Sequence, residues 1–129
     1  DNCGEAVIDH LLIGNYKDKI TIGVRGEAIL NDMTPLEAET SGYGGFPLIH
    51  TGDMAPGVSL RNSSPEFLQA LRKFDLIIAK GQGNYETLCE LDRPIFHLLR
   101  IKCPVIAERT GGTLGSLYIE GRNINAASR

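Results

Sequence analysis

No apolar run in this sequence approaches the roughly 20 residues that cross a bilayer, and no segment has the pattern of a secretory signal. Basic residues are not in excess. Thirteen Lys and Arg against 16 Asp and Glu give a net charge of -3 and a pI near 5.6, which argues against sequence-independent binding to nucleic-acid phosphates. The 4 Tyr and 4 Phe are scattered and build no stacking platform. Cysteine is scarce: Cys3, Cys89 and Cys103 are odd in number, far apart and form no Cys-x-x-Cys pair. That excludes a disulfide framework and favours reduced, packed thiols. Internal repeats and low-complexity stretches are absent. These absences predict a cytoplasmic protein without a membrane or nucleic-acid partner.

At 129 residues, 42% apolar and 22% charged, the chain has the length and composition of one domain with a real core. It is organised around Leu76-Ile77-Ile78-Ala79-Lys80-Gly81-Gln82-Gly83-Asn84-Tyr85-Glu86. Asp75 to Ala79 reads as a buried strand, two glycines follow Lys80, and Tyr85 to Leu91 is helix-compatible. Such a turn directs free N–H groups at one spot where an anion sits, with Lys80 adding a point charge. The competing reading is a glycine turn with an exposed lysine. Two nucleotide motifs fit poorly. The Walker loop needs its lysine after the glycines, and the dinucleotide fingerprint needs a third glycine where Glu86 stands.

Elsewhere the chain alternates strand and helix. Asn2 and Glu5 form a capping box for a first helix with Val7, Ile8, Leu11 and Leu12 inward. Ile20, Ile22 and Val24 alternate with polar residues as a half-buried strand. Ala28-Ile29-Leu30 delivers Asn31 and Asp32, and Thr34-Pro35-Leu36-Glu37 starts a helix. Asp32 is either a strand-end functional residue or a loop aspartate near a helix dipole. Pro47 to His50 is a short strand, His50 a strand residue rather than a base, and Thr51 to Gly57 a long turn. Ser64-Pro65-Glu66 opens a helix with Phe67, Leu68 and Leu71 inward. Ile95 to Leu99 is a strand leading to Arg100 and Lys102, Pro104 to Arg109 a helix closed by Gly111-Gly112, and Leu117 to Ile119 an edge strand. Gly121 to Arg129 is a fraying tail. The pattern predicts an α/β domain over residues 1–120 with a mainly parallel sheet and helices on both faces.

Strand ends of such a sheet meet at one edge. That edge would gather Asp1, Asn2, Asp32, the Gly52 turn, Lys80, Gln82, Gly83, Asn84 and Lys102. Two carboxylates and a carboxamide are hard oxygen ligands suited to Mg²⁺, Mn²⁺ or a similar ion. Two lysines and a nest of N–H groups suit a phosphate. Carboxylates opposite cations is the layout of metal-assisted phosphoryl transfer.

Asp1-Asn2-x-Gly4-Glu5, Asn31-Asp32-x-Thr34, Lys80-Gly81-Gln82-Gly83-Asn84-Tyr85-Glu86 and Phe96-His97-Leu98-Leu99-Arg100-Ile101-Lys102-Cys103 resemble the damage-control phosphatases, nearest their stand-alone prokaryotic branch. The resemblance runs from Asp1 to about Ile119. It implies a Rossmann-like α/β/α sandwich and a metal-dependent phosphatase acting on small phosphorylated metabolites. It assigns Asp1, Asn2 and Asp32 to a divalent metal (Mn, Mg, Co or Ni). Gln82 to Glu86 would form the substrate and phosphate loop, with Lys80 and Lys102 neutralising phosphate charge. Asp1 is the candidate nucleophile if the reaction is covalent rather than water-driven. Relatives carry a helical region and a strand before the Asp-Asn motif. The chain begins abruptly at Asp1 without methionine, so a fragment is expected, one that pairs with its missing N-terminal segment or self-associates. The alternative class is a non-catalytic phosphometabolite- or nucleotide-binding module. A carboxyl methyltransferase, a third reading attached to some relatives, lacks a glycine-rich cofactor loop with an acidic ribose ligand.

Overall fold

The isoleucine-rich runs become strands and the Ser-Pro and Cys-Pro signals become helix starts. The structure, a computed structural model, describes residues 17–24, 36, 45–52 and 57–127. The helix expected at Asn2 lies outside these residues. So does the one expected from Thr34, apart from Leu36, which is helical. The chain divides into two compact units, Asp1–Leu68 and Gln69–Arg129.

In the first unit a 3-10 turn at Lys17–Lys19 precedes β1 (Ile22–Val24), which pairs in parallel with β2 (Leu48–His50). Two hydrogen bonds extend the ladder, Ile22 N–H to the Pro47 carbonyl at 2.9 Å and Thr51 N–H to the Val24 carbonyl at 3.0 Å. Val24 and Phe46 are buried together, with Ile20, Ile22 and Leu48 against them. Helix α1 (Pro65–Lys73), whose residues from Gln69 on are counted in the second unit, begins as its sequence requires. The Ser64 hydroxyl accepts the Phe67 N–H at 3.2 Å, Pro65 takes the first turn, Glu66 sits at the positive end of the dipole, and Arg72 and Lys73 sit at the negative end.

The second unit holds β3 (Ile77–Lys80), α2 (Gln82–Leu88), β4 (Ile95–Arg100), α3 (Pro104–Thr110), β5 (Leu117–Arg122) and a helical turn, α4 (Ile124–Ala127). Strand order is β3-β4-β5. β3 and β4 are parallel, and β4 and β5 antiparallel. The described sheets are therefore mixed rather than parallel throughout. After β4, Gly111, left-handed at φ 72°, ends α3, and the chain re-enters the sheet at the end it left. Ile101 N–H donates to the Ser116 carbonyl and Gly115 N–H to the Ile101 carbonyl. β5 also runs three residues past Ile119, and α4 follows, so most of the polar end read as a tail is structured.

Along β4, Ile95, His97 and Leu99 are buried while Phe96 and Leu98 are half-buried. Tyr85, Cys89, Leu99, Ile101 and Ile106 form the core between α2, β4 and α3, with Cys103, Ala107 and Tyr118 packed on it. Arg122 joins the sheet to α2. Its guanidinium donates to the Cys89 carbonyl at 2.7 Å and pairs with Glu120 at 3.0 Å. Gly121 lies opposite Phe96 in the register, where a Cβ would come within 2.8 Å of the ring. The absent side chain lets the aromatic ring lie across the neighbouring strand.

His97 is completely buried, and neither ring nitrogen has a hydrogen-bond partner among the described residues. It lies opposite Ala79 of β3 and Glu120 of β5 and makes an edge-to-face contact with the Tyr85 ring, centroids 5.2 Å apart. Burial lowers its pKa below 6.5, the Glu120 carboxylate works against that shift, and the Arg122 guanidinium adds to it. The unfolded chain therefore takes up a proton on this ring more readily than the folded one. The stability due to the neutral ring is complete above the unfolded value, about 6.5, and is lost as pH falls from there towards the folded pKa. Chemical denaturation across this window should show stability falling with acidification, and His97→Leu should flatten that dependence.

Candidate phosphate-handling site

Lys80 is the last residue of β3, and the chain leaves it through Gly81. Gly81 has φ 91° and ψ 155°, a region open essentially to glycine alone. Its N–H donates to the Leu98 carbonyl at 2.9 Å, so the turn is still held to β4. A Cβ at Gly81 would meet nothing within 4 Å; the requirement is on the backbone, not on space. Glycine also leaves α2 without a side-chain cap. Asn84 ties the turn from the other side, its amide donating to the Lys80 carbonyl at 2.7 Å.

Gln82, first residue of α2, makes the longest-range contact of the loop. Its Oε1 accepts the Lys102 N–H at 2.8 Å. Its Nε2 donates to the Glu86 carboxylate at 2.9 Å and lies 3.5 Å from the Cys103 sulfur. In the β3–β4 register Lys80 is opposite Leu98, so Lys102 lies four residues further along the chain, beyond the end of β4. The Gln82 side chain spans that offset. Two lysines from neighbouring strand ends are thus carried by segments joined to each other. Lys102 and Glu86 are exposed, while Lys80, Gln82, Gly83 and Asn84 are half-buried.

Of the residues singled out in the sequence, Lys80, Gln82, Gly83, Asn84 and Lys102 belong to this one cluster. Gly52 belongs to the first unit. It has φ 77°, which favours glycine, and a Cβ there would lie in tight contact, 3.1 Å, with the Ser64 Cβ. Asp1, Asn2 and Asp32 lie outside the described residues. Among the described residues no three His, Cys, Asp or Glu side chains gather as a metal site. Sequence reasoning did not find the link from Gln82 to the Lys102 backbone, because a partner 20 residues away leaves no local signal. A polar hollow of about 540 Å³ lies at the opposite end, where β4 begins, lined by Glu90, Asp92, Glu120 and Arg122 among others. Its carboxylates outnumber its cation and oppose an anionic ligand.

Residues 1–117 match the family model described as the damage-control phosphatase ARMT1-like domain. The chain belongs to this family. Its similarity to other members is substantial. It is 40% identical over 123 residues to an uncharacterised protein of Methanocaldococcus jannaschii, covering 89% of this chain and 40% of that one. It is 39% identical to a damage-control phosphatase of Pyrococcus horikoshii and 35% identical to one of Archaeoglobus fulgidus, each match covering 91% of this chain and 43% of the relative. In structure it resembles the crystal structure of a DUF89 family protein from Pyrococcus horikoshii, with a TM-score of 0.76 and 38% identity, over 88% of this chain and 42% of that one. The chain thus spans less than half the length of these damage-control phosphatase relatives. The family named by the four motifs is the family found, and the fold is α/β with parallel and antiparallel strands. Among the described residues no helix is long and apolar enough to cross a membrane.

Gly81→Ala would force an L-residue into the glycine-only region and should cost about 1–3 kcal/mol. Chemical denaturation measures it, and an unchanged midpoint would mean that the turn adapts to other backbone angles.

Proposed function

We propose that this chain is the phosphate-handling part of a divalent-metal-dependent phosphomonoesterase that hydrolyses small phosphorylated metabolites. The observation that carries the reading is the Gln82–Lys102 hydrogen bond. It joins the glycine loop behind Lys80 to the strand end bearing Lys102, so two cations and a loop share one sheet edge. Family membership and the names of two relatives support the same activity.

In this reading Lys80 and Lys102 offset the charge of the phosphoryl oxygens as the ester bond breaks, the largest single service such a site performs. The loop Gln82-Gly83-Asn84 lies beside the phosphate, and Gly52 belongs to a second loop of the substrate site. Asp1, Asn2 and Asp32 are the proposed ligands of Mn²⁺, Mg²⁺, Co²⁺ or Ni²⁺, since two carboxylates and a carboxamide are a hard-oxygen donor set. The ion would supply Lewis-acid polarisation of the phosphoryl oxygens. The attacking group is either the Asp1 carboxylate or a water molecule. We further propose a Rossmann-like α/β/α arrangement and a cytoplasmic protein. Its ligand would be a phosphometabolite rather than nucleic acid or membrane, and its partner a further N-terminal segment or a second copy.

A panel of phosphorylated metabolites assayed with each of the four ions tests this. Turnover that depends on the ion supports the enzyme. Saturable binding without turnover would identify the binding module instead. Lys80→Ala should lower kcat/KM by about 10²–10³, and a near-parent value would return Lys80 to a structural turn. Asp32→Ala should abolish ion-dependent turnover with little change in melting temperature; undiminished Mn²⁺ binding in a direct titration would remove Asp32 from the metal site.

A further inference from the structure

The side-chain amide of Gln82 has no capacity left for a phosphate. Its orientation is unambiguous, because the Lys102 backbone N–H can only donate and the Glu86 carboxylate can only accept. Oε1 must therefore face Lys102, at 2.8 Å, and Nε2 must face Glu86, at 2.9 Å. The second hydrogen of Nε2 is directed to the Cys103 sulfur at 3.5 Å. Both amide donors are engaged, and the remaining lone pair of Oε1 would repel a phosphate oxygen.

We propose that Gln82 is a positioning residue: it is a clasp that holds the β4 exit at Lys102 against the β3 exit at Lys80, and it does not contact the phosphate with its amide. Glu86 orients the clasp by accepting from Nε2. The catalytic part of this inference rests on the phosphatase reading above; the clasp itself does not. Two properties make the arrangement effective. Gln82 is the first residue of α2, and its backbone is fixed by the turn that Gly81 and Asn84 hold. Lys102 lies between β4 and α3, where no regular ladder fixes its backbone. The neighbouring Ile101 N–H is already tied to Ser116, so the clasp governs Lys102 specifically. Displacing a charged group by about 1 Å in such a site can cost up to 10²-fold in rate.

The test uses the full chain with p-nitrophenyl phosphate and Mn²⁺, and amide hydrogen exchange at Lys102. In Gln82→Ala, exchange at Lys102 should accelerate about tenfold, the worth of one hydrogen bond, while exchange at Ile101 stays at the parent rate. The same variant should lose kcat by about tenfold to 10²-fold, with KM nearly unchanged. Gln82→Glu keeps the acceptor for Lys102 but sets two carboxylates together and should be impaired. The double variant Gln82→Glu with Glu86→Gln restores a donor–acceptor pair and should recover both slow exchange and turnover. Unchanged exchange at Lys102 in Gln82→Ala overturns the clasp. Accelerated exchange with parent-like kcat overturns its catalytic role and leaves the phosphatase reading standing. A parent that turns over no phosphomonoester even when supplied with its N-terminal segment removes that reading, and the catalytic role with it, while exchange at Lys102 still decides the clasp.

Discussion

The ring of Tyr85 is the contact on which the second unit depends. It is almost fully buried, meets His97 of β4 edge-on, meets Tyr118 of β5 in the same manner at 6.2 Å, and lies 5.8 Å beneath the guanidinium of Arg109 from α3. One side chain thus joins α2 to two strands and a second helix. Helix α2 has only seven residues, and an isolated helix of that length does not form in water. Its first turn contains Gly83 and Asn84, both poor helix formers. The burial of Tyr85 offsets that weakness, and everything the loop presents follows from it.

This explains which parts of the structure were legible in the sequence. The strands at Ile22, Leu48, Ile77 and Ile95 and the helix starts at Pro65 and Pro104 carry strong local signals, and they stand where pattern reading puts them to within two residues. Helix α2 begins three residues earlier than its composition suggests, because Asn84 and Gln82 make tertiary and side-chain bonds that propensity does not weigh. β5 was shortened for the opposite reason. Gly121-Arg122 reads as polar tail, yet Arg122 pairs with Glu120 at 3.0 Å and Gly121 serves Phe96. Its direction was invisible too, since the turn back after α3 rests on backbone bonds of Ile101 with Ser116 and Gly115, which leave no local signal. The part of the candidate site from Lys80 to Asn84, with Lys102, was legible as a set of residue types at strand ends. Its internal wiring, from Gln82 to the backbone of Lys102, was not.

The cluster at the β3 and β4 ends combines rigidity of two kinds. Gly81 fixes a backbone angle, while Gln82 fixes a relation between segments distant in sequence. The first is local and strains any residue but glycine. The second is a hydrogen bond worth about 0.5–1.5 kcal/mol in net stability, small beside the folding energy of a domain. A bond of that size can matter far more to a reaction than to the fold, because the reaction senses displacement where stability senses only energy.

The pairing of Phe96 with Gly121 has a meaning beyond packing. A strand that slides by one residue turns every side chain to the wrong face, but a slide by two preserves the faces and is harder to prevent. Here a two-residue slide would put Ile119 or Asn123 where Gly121 stands, beneath a ring with no room for a Cβ. The empty position acts as a keyway that accepts one alignment of β5. It thereby also keeps Glu120 across from His97 and Arg122 within reach of the end of α2, so a missing side chain sets the address of the charged ones.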